Sequence, residues 1–137
     1  MKKIAFYIFG LVTLLNFVGC NRYDVEEILI SREDISLTIK GEPIFLYDPD
    51  NCQAAYNASR NEYWAMTDDM SEYFVLKAHQ QLSYLEQEFT AELTYMISDK
   101  AKKEKNLTFK IEKINNDNGL VWLWCKSRNI GLVIKLF

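Results

Sequence analysis

The spacing of apolar side chains changes character at residue 28. From there the dominant period is two, as expected for strands with one buried face. Ile35, Leu37 and Ile39 alternate with Ser36, Thr38 and Lys40, and Ile44 to Tyr47 is a second extended run. EYWAM (62–66), EYFVLKA (72–78), EFTAELTYMI (88–97) and LTFKIEKI (107–114) continue the pattern. In the third of these, Phe89, Ala91, Leu93, Tyr95 and Ile97 share a face opposite Glu88, Thr90, Glu92 and Thr94. Turn residues fall between the runs: YDPDN with Pro49 fixing φ, TDDMS, and INNDNG with Gly119 able to take positive φ. Two segments, 53–63 and 79–89, carry helix formers without a sustained apolar face, and the second reads as one short helix or a long crossing loop. About eight short strands with little helix predict an all-β domain, a two-sheet antiparallel β-sandwich, immunoglobulin-like in the broad sense; a small open barrel is the nearest competitor.

The last strands are the most apolar. In GLVWLWCKSRNIGLVIKLF, Val121, Leu123 and Cys125 point one way and Trp122, Trp124 and Lys126 the other, then a turn around SRN leads into Ile130, Leu132, Ile134 and Leu136 on one face opposed by Gly131, Val133 and Lys135. Both faces of this hairpin need cover, from within the domain or from a partner. Gly131 suits close packing against a large ring.

Residues 1–19 have two lysines followed by an apolar stretch from Ile4 to Val18, which is a signal peptide's pattern and short for a membrane-spanning helix. Gly19 immediately before Cys20 resembles the lipobox of bacterial lipoproteins, with Phe17 departing from the preferred residue three places before the cysteine. The resemblance implies a diacylglyceryl thioether on Cys20, cleavage before it, and attachment to the bacterial membrane through acyl chains. Residues 20–27 then form the lipidated cysteine and an acidic tether, and 28–137 a single β-sandwich domain. Location on the outer membrane or cell surface follows, with the periplasmic face as the alternative.

Composition narrows the chemistry. The 19 Asp and Glu exceed the 16 Lys and Arg, which argues against a nucleic-acid partner; the one dense basic run, KAKKEK at 100–105, reads as a solvated turn or an exposed strand end. Cys52 and Cys125 can pair only with each other, as a disulfide, and fit equally well as two inert buried thiols. His79 is the sole histidine and no closely spaced cysteine pair exists in the domain, so no metal or other cofactor is expected. The acids of DPDN and TDDM lack the spacing of a helix–loop–helix calcium site and read as turn formers. No nucleophile elbow, phosphate loop or dinucleotide fingerprint occurs, so no catalytic residue is assigned and no enzyme is expected.

EYWAMTDDMSEYFVLKA, the long alternating strand after it and the terminal GLVWLWCKSRNIGLVIKL resemble small β-sandwich lipoproteins of Bacteroidetes. That resemblance implies envelope localisation and fold and assigns no functional residue. The expectation for function is a non-enzymatic, lipid-anchored envelope binding or interaction module, its ligand a glycan or an envelope protein. Tyr63, Trp64, Tyr73, Trp122 and Trp124 are the candidate stacking rings, with Lys126 and Arg128 as polar neighbours. The alternative is a structural subunit or protein inhibitor docking through a strand edge or apolar patch.

Overall fold

The computed structural model describes residues 27–136. The leader, Cys20 and the tether up to Glu26 lie outside the described residues. Nine strands follow a short helical turn at 27–31: β1 (Ser36–Ile39), β2 (Glu42–Leu46), β3 (Cys52–Asn57), β4 (Glu62–Thr67), β5 (Tyr73–Ala78), β6 (Glu88–Ile97), β7 (Lys100–Asn115), β8 (Leu120–Cys125) and β9 (Ile130–Lys135). All belong to one antiparallel sheet in the order β2-β1-β9-β8-β7-β6-β5-β4-β3.

The sheet is a curled half-barrel, which corrects the expected two-sheet, immunoglobulin-like β-sandwich. Alternation shows that a strand buries one face and does not show what lies opposite. Connectivity decides. In a flat sheet β2 and β3 would lie eight strand spacings apart, roughly 38 Å. The link from Leu46 to Cys52 can span only about 20 Å when fully extended. The edges must therefore approach. At one end of the link Tyr47 N donates to Ile35 O (3.1 Å), and at the other Asn51 O accepts from Asp68 N (2.7 Å). Asp48 shapes the bend, its carboxylate accepting from Asp50 N at 3.1 Å and Asn51 Nδ2 at 2.7 Å.

Curling turns one face of every strand inward. Phe74 and Leu76 of β5, Leu93 of β6, Phe109 and Ile111 of β7, Leu123 of β8 and Leu132 of β9 are all at most 1% exposed. Phe45 meets Phe74 edge to face with centroids 5.5 Å apart, and Phe89 stacks on Phe109 at 5.9 Å. Ile134 of β9 shares a crevice of only about 10 Å³ with Ala54, Tyr63 and Phe74. Each large apolar side chain so buried contributes about 1.5–3 kcal/mol.

Neither segment with helix formers is helical. Residues 52–57 pair along β4 from Cys52↔Thr67 to Asn57↔Glu62, because the ladder satisfies backbone groups that a short isolated helix would leave open. Residues 79–87 form a loop around Gln87, which is 3% exposed; its Oε1 accepts from Ser83 N (2.6 Å) and Tyr84 N (3.3 Å), and its Nε2 donates to Gln81 O (2.9 Å). KAKKEK is the exposed first part of β7.

The terminal hairpin forms around the expected turn, with Val121↔Ile134, Leu123↔Leu132 and Cys125↔Ile130 inside and Trp122↔Val133 and Trp124↔Gly131 outside. Both faces are buried, Trp122 being 2% and Trp124 5% exposed. Trp122 Nε1 donates to Arg32 O at 3.0 Å, and Lys113 Nζ lies 4.5 Å from its ring centroid. Gly131 makes room for Leu29 of the helical turn: a Cβ there would stand 2.9 Å from Leu29 Cδ1.

Gly131→Ala should therefore lower stability by about 1–3 kcal/mol through overpacking. Leu29→Ala, which empties a fully buried site, should cost about 2–5 kcal/mol. The double variant should cost less than the sum, because shortening Leu29 relieves the crowding. Urea unfolding of the four proteins measures this coupling, and strict additivity would separate the two positions.

Candidate functional site

The described chain has an open notch where β7 runs past the β8–β9 turn. β7 pairs with β6 from Lys100 onward but with β8 only from Lys110. Along the first part of β7 one edge thus has no partner strand among the described residues. A cleft lies on each side of this notch. The outer one, about 790 Å³, is lined by Glu88, Thr108, Lys110, Trp124 and Lys126 together with Ser127 and Asn129 of the turn. The inner one, about 450 Å³, opens at the mouth of the half-barrel between Tyr95, Ile97, Lys102, Glu104 and Arg128 and shares Ser127 and Asn129.

Two local features build this geometry. The first is a bulge: Ala91 opposes Leu107 but Leu93 opposes Glu104, so three steps on β7 match two on β6. Asn106 takes φ 58° there, a conformation asparagine tolerates better than most residues. The offset turns Glu104 and Lys102 toward the inner face beside Leu93 and Tyr95. The second is the turn itself. Asn129 has φ 53°, and its carbonyl accepts from Lys40 N at 2.8 Å, tying the β8–β9 turn to the β1–β2 turn. Lys40 and Gly41, at φ 54° and 84°, form that tight connection.

Glu104 is the hub. Its Oε2 accepts from Tyr95 Oη at 2.9 Å, and its Oε1 accepts from Arg128 Nη1. Burial of Tyr95, then its bond to the Glu104 carboxylate, push its phenol up to about 12, with Arg128 opposing. On the outer side Glu88 stands opposite Lys110 and Lys110 opposite Trp124, so one row across three strands offers carboxylate, ammonium and an indole edge.

The named residues divide among three regions, Trp122 lining a separate cleft of about 430 Å³ with Arg32, Lys113 and Asn118. Trp124 and Lys126 line the outer cleft, and Arg128 the inner one. Tyr63, Trp64 and Tyr73 lie on β4 and β5, far along the sheet from β8. Tyr63 faces the interior, 4% exposed and stacked on Tyr56 at 6.1 Å; burial raises its pKa. Trp64 and Tyr73 are half-buried. The rings of Trp122 and Trp124 are too covered to stack face-on with a sugar. Tyr95, Lys102 and Glu104 were missed as site residues. Tyr95 follows the core alternation, and Glu104 sits in a run that looks like solvated charge; Asn106 was the available signal for a bulge.

Other candidates have structural roles. Cys52 and Cys125 are buried free thiols, and Cys125 Sγ lies 3.6 Å from Ser127 Oγ. His79 Nδ1 is 3.0 Å from Thr90 Oγ1. Asp69 accepts from Ser71 N at 3.0 Å, Thr67 Oγ1 at 2.7 Å and Ser71 Oγ at 2.8 Å, closing the β4–β5 turn; these bonds, led by that from Ser71 N, hold its carboxyl down at about 2. Among the described residues, no three His, Cys, Asp or Glu side chains converge as a metal site.

Because the Tyr95 pKa lies above its ordinary value of 10.0, the stabilisation from its neutral form is complete below that pH and is lost as pH rises through about 12. Glu104→Gln removes the charge and should move the Tyr95 titration downward while leaving it above the ordinary range, since burial remains. Tyrosine Cζ chemical shifts followed against pH in both proteins check this. An unchanged Tyr95 midpoint would uncouple the pair.

No protein-family model, no curated protein and no solved structure matches the chain.

Proposed function

We propose that this protein is a non-enzymatic binding module of the cell envelope, held to the membrane by acyl chains on Cys20, whose ligand is a glycan seated in the notch beside the β8–β9 turn. The observation that carries the reading is the meeting of two clefts at Ser127 and Asn129, with Arg128, bonded to Glu104, lining the inner one. Their lining mixes ammonium, carboxylate, hydroxyl and amide groups with short apolar walls from Ile39, Ile97 and Trp124. Such a lining suits a polyhydroxylated ligand recognised by directed hydrogen bonds. Recognition here rests on polar groups, because the indole faces are covered. The Tyr95–Glu104–Arg128 bonds restrain the groups presented to the ligand, which lowers the ordering cost of binding.

A second reading comes from the unpaired edge of β7. Its free backbone groups could take an added strand from an envelope protein, making this chain a structural subunit or inhibitor. Crosslinking in cells distinguishes the two: a stoichiometric protein partner trapped through the first part of β7 favours strand addition.

Arg128→Ala should weaken binding of the selected glycan by roughly tenfold, the loss expected for one charge-assisted hydrogen bond, with little change in melting temperature. A polysaccharide array probed with the full-length chain in nonionic detergent supplies the ligand, and titration calorimetry the affinities. Turnover of a bound polysaccharide, or equal affinity in R128A for every ligand found, would contradict the proposal.

A further inference from the structure

Charge along the chain is segregated. Residues 27–99 hold four Lys and Arg against fourteen Asp and Glu, whereas residues 100–137 hold nine against three. Since β7, β8 and β9 are consecutive neighbours in the sheet, this division in sequence becomes one in space: a basic side in an otherwise acidic protein. We propose that the ligand of the notch is a linear acidic polysaccharide, lying along the uncovered part of β7 and held by its lysines and by Lys126 and Arg128 across the gap. This rests on the notch being the binding site and adds the chemical class of what fills it.

Three observations select that class. Lys100, Lys102, Lys103 and Lys105 are exposed along the part of β7 that β8 does not reach. From Lys100 to Lys110 the strand runs for roughly 30 Å, several sugar units rather than one small anion. The cations also occupy both faces of the strand. Lys100 and Lys102 stand opposite Ile97 and Tyr95 of the inner face, and Lys103 stands opposite Thr94 on the outer face, where its ammonium lies 3.5 Å from Glu92. A flat anionic bilayer cannot meet both sets at once, whereas a chain lying in the notch passes between them. Single-stranded nucleic acid needs open aromatic faces for its bases, and Trp122 and Trp124 are 2% and 5% exposed. Uronate or sulfate groups, by contrast, need spaced ammonium and guanidinium donors with nearby hydroxyl and amide partners, which Thr108, Ser127 and Asn129 supply.

The test uses the full-length chain in nonionic detergent with four probes: polygalacturonate, neutral dextran, duplex DNA, and vesicles containing phosphatidylglycerol. Polygalacturonate should bind best, with affinity falling steeply as salt is raised. The triple variant Lys102→Gln, Lys105→Gln, Lys126→Gln should bind it about tenfold more weakly, the sum expected of three exposed ion pairs. Arg60→Gln, in the β3–β4 turn, should bind as the unaltered protein does. Preference for DNA or vesicles, or indifference of polygalacturonate binding to the triple substitution, would overturn the acidic-glycan assignment and leave the lysines as guards of an exposed strand edge. A neutral glycan lost in R128A but retained in the triple variant would keep the notch as the site and remove only the charge requirement. Unaltered binding of all four probes in R128A as well would remove the notch itself.

Discussion

Six Cα steps separate Leu46 from Cys52, and they join the two opposite edges of a nine-stranded sheet. A flat sheet would set those edges nearly twice the link's reach apart. The sheet must curl, and once curled it has a single enclosed side into which all nine strands send alternate residues. The core follows from this. Phe45 near one edge reaches Phe74 of β5, and Ile134 of β9 packs with Ala54 and Tyr63 near the other.

Curling also creates ends, and one of them carries the candidate site. β6 and β7 are ten and sixteen residues long, while β8 and β9 have six each, so the long hairpin projects past the short one. The bulge between Leu107 and Glu104 then swaps which residues of β7 face inward, placing a carboxylate against Tyr95 where strict alternation would have placed Lys105. Arg128 reaches it from the β8–β9 turn. The apolar hairpin with its two tryptophans, the loudest feature of the sequence, is framework: Leu29 seats on Gly131 and Trp122 is bonded to Arg32, which pins the incoming chain to the outer face. The charged strand next to it gives that framework a surface with a defined sign.

The strands were legible where alternation was unbroken. Phe89 to Ile97 and Val121 to Ile134 take the faces their spacing implies, and Gly119 has the positive φ its turn requires, 76°. The architecture was not legible, because a sandwich and a half-barrel impose the same period of two on each strand. Only the shortness of the β2–β3 link separates them, and its meaning depends on knowing that β2 and β3 are edges. β3 was hidden for a different reason: QAAYN has no alternation of its own, and pairing with β4 imposes its conformation. Of the site, Trp124, Lys126 and Arg128 were in view, while Glu104 and Lys102 were hidden by the bulge, which breaks the period that reading by pattern relies on. Gly131 was legible as a point of close approach, although the group that approaches is Leu29 rather than an aromatic ring.

One sheet curls until its two edges come within reach of the short β2–β3 link. Nuclear Overhauser contacts in selectively methyl- and aromatic-labelled protein test it most directly. The half-barrel predicts cross-peaks between Phe45 and Phe74 and between Ile134 and Ala54, together with an unbroken backbone ladder from β3 through β9 to β2. Absence of those two side-chain contacts, with a ladder interrupted into two separately paired sheets, would contradict it.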